Sequence, residues 1–155
     1  MSIIHSPVGW LHFLAALVAL LSGSVILLRP KGGLFHRRCG YVYAASMLLV
    51  NATAFLIYRL FGGFGPFHFA ALVSLFSLVQ GLLPAWRRPS GWLLRHYYHM
   101  SWSVLGLYAA FIAETGVRLV PRGGFWFVVF GSLGLVMFLG SRLIRQNARH
   151  WSAEA

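Results

Sequence analysis

The chain has 155 residues, 59% of them apolar and 10% charged, with a formal net charge of +11 and only two acidic residues, Glu114 and Glu154. A soluble domain carries roughly 25% charged residues, so a surface this poor in charge excludes water as its main solvent and leaves lipid. The lack of aspartate and the single cysteine, Cys39, exclude paired-aspartate chemistry, an intramolecular disulfide and a multi-cysteine metal site.

The elements follow in chain order. A helix crosses a bilayer with ~20 mostly apolar residues. The first such run, 7–28, is uncharged and opens on Pro7, a residue suited to a first helical turn. It lacks a basic leader segment, which points to a span rather than a cleaved signal. The turn Arg29-Pro30-Lys31-Gly32-Gly33 leads to a second run at 39–58, and Gly62-Gly63-Phe64-Gly65-Pro66 leads to a third at 67–86. Arg88-Pro89-Ser90-Gly91 precedes a fourth at 97–117, whose one charge is Glu114, and Pro121-Arg122-Gly123-Gly124 precedes a fifth at 124–141. Short links force antiparallel neighbours. The expected fold is therefore an all-α integral membrane protein, an up-down four-helix transmembrane bundle with a fifth transmembrane helix beside it, in a single domain.

Basic residues set the expected orientation. Ten of the thirteen fall in the first loop (Arg29, Lys31, Arg37, Arg38), the third loop (Arg87, Arg88, Arg95) and the C-terminal tail (Arg142, Arg145, Arg149). The other side has Arg59, Arg118 and Arg122. The positive-inside rule then places the N-terminus outside and the C-terminus inside a bacterial inner membrane. Trp10, Trp86, Trp92 and Trp126 at span ends fit an interfacial aromatic belt. Basic clusters at span ends attract anionic lipid headgroups. They do not form the continuous groove on a soluble surface that nucleic acid needs, so lipid is the expected partner and nucleic acid is not.

The functional signal lies in the histidines. His5 and His150 are outside the apolar runs and read as solvated. The other five alternate between the two membrane faces: His12 outer, His36 inner, His68 outer, His96 and His99 inner. In an up-down bundle, His12 faces His68 across one diagonal, and His36 faces His99 (or His96) across the other. Imidazole is an axial ligand of haem iron, and bundle cores hold cofactors between facing helices. Helical spacing supports the pattern. The His12 face continues through Ala16, Ala19 and Gly23; the His36 face through Gly40, Tyr43, Met47 and Asn51; the His99 face through Ser103, Gly106, Ala110 and Glu114. In helix 3, Ser74, Ser77 and Gly81 do not share the face of His68. The first expectation is thus haem b held by His12 with His68 and by His36 with His99, for transmembrane electron transfer with a quinone or a redox partner protein.

Other readings use the same residues. Small residues on one face also let bare helices pack closely in lipid, and histidines at span ends reach headgroups, His36 most of all, beside Arg37 and Arg38. That gives a cofactor-free membrane subunit or scaffold. A third reading joins His12, His68 and Glu114 into a two-histidine, one-carboxylate set for a zinc or iron ion, against which Glu114 has Arg118 at i+4 as an ion-pair partner. No His-Glu-x-x-His, phosphate-binding loop or nucleophile elbow is present.

From Lys31 to Tyr43 the chain reads Lys-Gly-Gly-Leu-Phe-His-Arg-Arg-Cys-Gly-Tyr-Val-Tyr. This basic glycine loop followed by His-Arg-x-x-Gly-x-x-Tyr, with Phe67-His68 opening the next outer end and a histidine opening helix 4 (His96 to Met100), resembles a family of predicted bacterial membrane proteins of unknown function. The resemblance covers about Gly9 to Val117 and implies fold and location without implying an activity. Separately, the histidine layout is similar to that of di-haem b-type transmembrane cytochromes, where one histidine from each of four helices forms two diagonal pairs.

Overall fold

The computed structural model describes residues 6–58 and 62–152, with the side chains of 122 and 149–152 left out. His5 and Arg59 lie outside the described residues, as do the side chains of Arg122, Arg149 and His150. Five α-helices follow one another: α1 (Pro7–Leu28), α2 (Leu34–Ala54), α3 (Pro66–Arg87), α4 (Trp92–Leu119) and α5 (Phe125–Ser152), with one 3-10 turn at Arg122–Gly124 before α5. No strand occurs among the described residues. The all-α membrane fold is as expected.

Local chemistry sets the helix ends. Ser6 accepts a hydrogen bond from the Gly9 N–H at 3.1 Å and Pro7 opens α1, which together satisfy the first turn. α1 stops where Arg29 turns extended, as the residue before a proline does. Gly32, at φ +94, makes the turn into α2, a conformation that costs glycine little. Pro66 opens α3.

The helices outrun several of the expected spans. α2 starts five residues earlier than the expected 39–58 run and ends four residues earlier, so His36, Arg37 and Arg38 lie on the helix, and Phe55 to Tyr58 lie past it. α4 begins at Trp92, which puts His96 and His99 in its second and third turns. α5 continues to Ser152, carrying Arg142 and Arg145 beyond the apolar run.

Four helices are long and apolar enough to cross a membrane: Pro7–Leu28, Pro66–Arg87, Trp92–Leu119 and Phe125–Ala148. α2 falls short of that measure because Arg37, Arg38, His36 and Asn51 dilute it. Yet it runs antiparallel beside α1 over the same depth, since His12 near the start of α1 bonds Thr53 near the end of α2. Arginine side chains near a helix end reach the headgroups by extending along their own stems.

The chain divides into two compact units, Met1–Phe76 and Ser77–Ala155. In the first, α1 packs on α2. The buried face of α1 is Gly9, His12, Ala15, Ala16, Ala19, Leu20, Gly23 and Ile26, mostly small residues that allow close backbone approach. Its opposite face, Leu14, Val18, Leu21, Val25 and Leu28, is exposed and wholly apolar, the surface a helix presents to lipid. The face of α2 read from the sequence is largely the one that is buried: Tyr43, Met47 and Asn51 are at most 3% exposed. The Asn51 amide donates to the Met47 carbonyl and, at 3.4 Å, to Ser74 Oγ on α3.

In the second unit α4 packs antiparallel on α5 along its length. Tyr97, near the start of α4, donates from its hydroxyl to the Ile144 carbonyl at 3.0 Å, while Gly116 near the end lies against Val128. Gly140 lies against Leu105, and Tyr97, Ile144 and Ala148 form a buried cluster with Trp102 and Leu105 beside it. Gly81 on α3 meets Met100 so closely that a Cβ there would fall 2.6 Å from Sδ and 3.2 Å from the Met100 backbone nitrogen. Gly81→Leu is accordingly expected to destabilise the protein by about 1–3 kcal/mol through overpacking, read as a lowered melting temperature in detergent. Gly134→Ala, which meets nothing within 4 Å, leaves it unchanged.

Candidate functional site

His12 sits a little over one turn into α1, on its buried face, at 9% exposure. Its Nδ1 lies 2.9 Å from Thr53 Oγ1. The Thr53 hydroxyl has one hydrogen and spends it on its own helix, on the Leu49 carbonyl at 2.7 Å or the Val50 carbonyl at 3.0 Å. Oγ1 is then the acceptor for His12, which donates from Nδ1–H. The tautomer follows: Nε2 of His12 is the lone-pair nitrogen. An imidazole whose other ring N–H is anchored in this way is the form that ligates a metal.

His68 is held the opposite way. It is the third residue of α3, and its Nδ1 accepts the Gly65 N–H at 3.1 Å, the bond an N3 side chain makes back to the N-cap in a capping box. A nitrogen that accepts carries no proton, so the ring proton is on Nε2. That nitrogen is buried and has no hydrogen-bond partner, in a residue 4% exposed. A buried donor left unmade costs about 1–3 kcal/mol. The ring stacks on Tyr58 (centroids 4.7 Å apart, planes at 24°) and Phe64 (5.1 Å, 28°), with Phe55 tilted against it at 6.1 Å. His68 ligates through Nε2 only after its proton moves to Nδ1 and the Gly65 bond is given up.

His12 and His68 each pack against residues at or just past the end of α2. Thr53 in the last turn of α2 anchors His12, and Phe55 and Tyr58 just past that turn enclose His68.

The other histidines are placed differently. His36 is on α2 and half-buried; His99 is on α4 and half-buried; each has a partner. The His99 face is buried only in part: Ser103 on it is buried and Gly106 exposed, while Met100, Val104 and Leu107 on the neighbouring stripe are buried too. His96 has the clearer geometry. Its Nδ1 donates to the Gly81 carbonyl at 2.8 Å, which again makes Nε2 the lone-pair nitrogen.

Glu114 forms an ion pair with Arg118 at 3.6 Å, four residues on, with both side chains partly exposed. Such a pair contributes little stability, but it occupies the carboxylate. Among the described residues no three His, Cys, Asp or Glu side chains gather as a metal ion needs.

Thr53, Phe55, Tyr58, Phe64 and the Gly81 carbonyl were not singled out from the sequence. The aromatic residues around Gly62-Gly63 were the available signal for the box around His68. Thr53→Val keeps the side-chain shape and strands the His12 Nδ1–H. It is expected to cost about 1–3 kcal/mol in detergent unfolding followed by tryptophan fluorescence, with Thr53→Ser restoring most of the loss.

A family model described as "Predicted membrane protein (DUF2306)" matches residues 9–145. The match runs past α4 into α5, further than the His-Arg-x-x-Gly resemblance reached. No curated protein and no solved structure matches the chain significantly.

Proposed function

We propose a function for a chain that belongs to the DUF2306 family of predicted membrane proteins: it is a multi-pass protein of a bacterial inner membrane that binds b-type haem through imidazoles and passes electrons across the bilayer. The observation that carries this reading is His12, a buried intramembrane imidazole whose Nδ1–H is fixed on Thr53 so that Nε2 is the ligand nitrogen. An ionisable side chain within a span is expensive to insert and is a functional candidate for that reason. Haem, when bound, supplies one-electron transfer.

His12 is the leading outer ligand. His68 joins it only in the alternate tautomer. At the inner end His36 and His99 are the pair read from the sequence, and His96, with its Nδ1–H on the Gly81 carbonyl, has the geometry that best suits a ligand there. Lipid contacts follow from the exposed apolar faces, and a quinone or a redox protein is the exchange partner.

The cofactor-free scaffold reading is favoured by one observation, the capping bond of His68 to Gly65, which gives that histidine a structural task. Visible spectra of the purified protein from haem-supplied cells separate the two. The expected result is a Soret band and a sharp alpha band on dithionite reduction, with His12→Ala losing the greater part of the absorbance that His68→Gln retains. Colourless protein under haem supply overturns the electron-transfer reading and leaves the scaffold.

A further inference from the structure

The His68 Nε2–H is the one buried side-chain nitrogen or oxygen without a hydrogen-bond partner among the described residues. Three aromatic rings pack against it: Tyr58 and Phe64 stacked on the imidazole, Phe55 tilted beside it. We propose that this N–H, in its aromatic box, is the donor of a binding site for the carbonyl oxygen of a flat, uncharged ring reaching it from the lipid, a quinone-type head group. The inference rests on His68 alone and stands whether or not the protein binds haem.

The chemistry narrows the ligand in three steps. The free function is a donor, because Nδ1 is already the acceptor of the Gly65 N–H. A donor calls for an acceptor oxygen and turns away cations. The surrounding rings favour a flat conjugated partner, since aromatic faces stack offset or edge to face with other rings. Finally, the box lies near the surface. Tyr58 is 46% and Phe64 63% exposed, so a molecule in the lipid phase meets these rings before it meets His68. A phospholipid ester carbonyl shares the acceptor oxygen but lacks the ring, and is the rival source.

The test uses the full chain in detergent with ¹⁵N-labelled histidine, titrated with decyl-ubiquinone and, in a separate arm, with a short-chain diacyl phosphatidylcholine. The expected result is a saturable downfield shift of the His68 Nε2–H resonance with the quinone. Quinone binding should weaken at least tenfold in His68→Gln, where glutamine keeps the capping bond to Gly65, and should weaken in Phe64→Leu, which keeps the imidazole. Gly134→Ala, in open space on α5, should bind as the unchanged protein does. A shift produced by the phospholipid, with no displacement by quinone, assigns the N–H to a lipid ester and overturns the proposal. An Nε2–H that exchanges freely with water and moves with neither probe also overturns it. A colourless protein that shows the quinone shift sinks the haem reading alone, and a haem-loaded protein without the shift sinks this one alone.

Discussion

In hydrocarbon a polar group cannot fall back on water, so each one that enters the membrane must find its partner within the chain. That constraint organises the side chains along these helices. Ser22, Ser24, Thr53, Ser132 and Ser141 all return their hydroxyls to carbonyls of their own helix three or four residues back. Asn51 does the same with its amide toward Met47. Having settled its own proton, Thr53 is left as a pure acceptor, and this is what lets it orient His12. A hydroxyl that merely satisfies itself becomes the device that selects one tautomer of a neighbouring imidazole.

Close approach is the second requirement, and small residues meet it. Without a hydrophobic driving force between helices in lipid, association depends on packing contact. The alanine and glycine face of α1 serves α2 in the first unit, and Gly116 and Gly140 serve the α4–α5 pair in the second. α5 is bound along the length of α4 and closes on Tyr97 through the Ile144 carbonyl. It is part of the second unit's core rather than an accessory to the other four helices, in keeping with a family match that extends to residue 145.

Much of this was legible in the sequence because lipid makes patterns simple. Five apolar runs separated by glycine and proline turns gave five helices, and i, i+4, i+7 spacing from His12 and from His36 picked out faces that are in fact buried. Boundaries were less legible. Arg37 and Arg38 look like loop residues by charge, yet they sit on α2, because a charged residue can be helical and still reach the headgroups. The His99 face was a partial guide to α4: Ser103 on it is buried but Gly106 is exposed, and Met100, Val104 and Leu107 on the neighbouring stripe are buried as well. Tautomers were out of reach altogether. Nothing in the spacing of His12 and His68 says that one donates from Nδ1 and the other accepts there; that depends on Thr53 and on the Gly65 N–H, contacts set only once the chain has folded.

The opposed tautomers change what the outer end of the first unit can be. Two identical imidazoles facing each other would suit a symmetric axial pair on one iron. Here one ring turns a lone pair outward from its anchor and the other turns a proton outward, and they are held by different means, a threonine in one case and a helix cap in the other. The cap ties the orientation of His68 to the start of α3, so inverting its tautomer would also loosen the first turn of that helix. The asymmetry is therefore built into the backbone. Two histidines that the sequence pattern presents as equivalent therefore differ in kind, one with its lone pair at Nε2 and the other with its proton there.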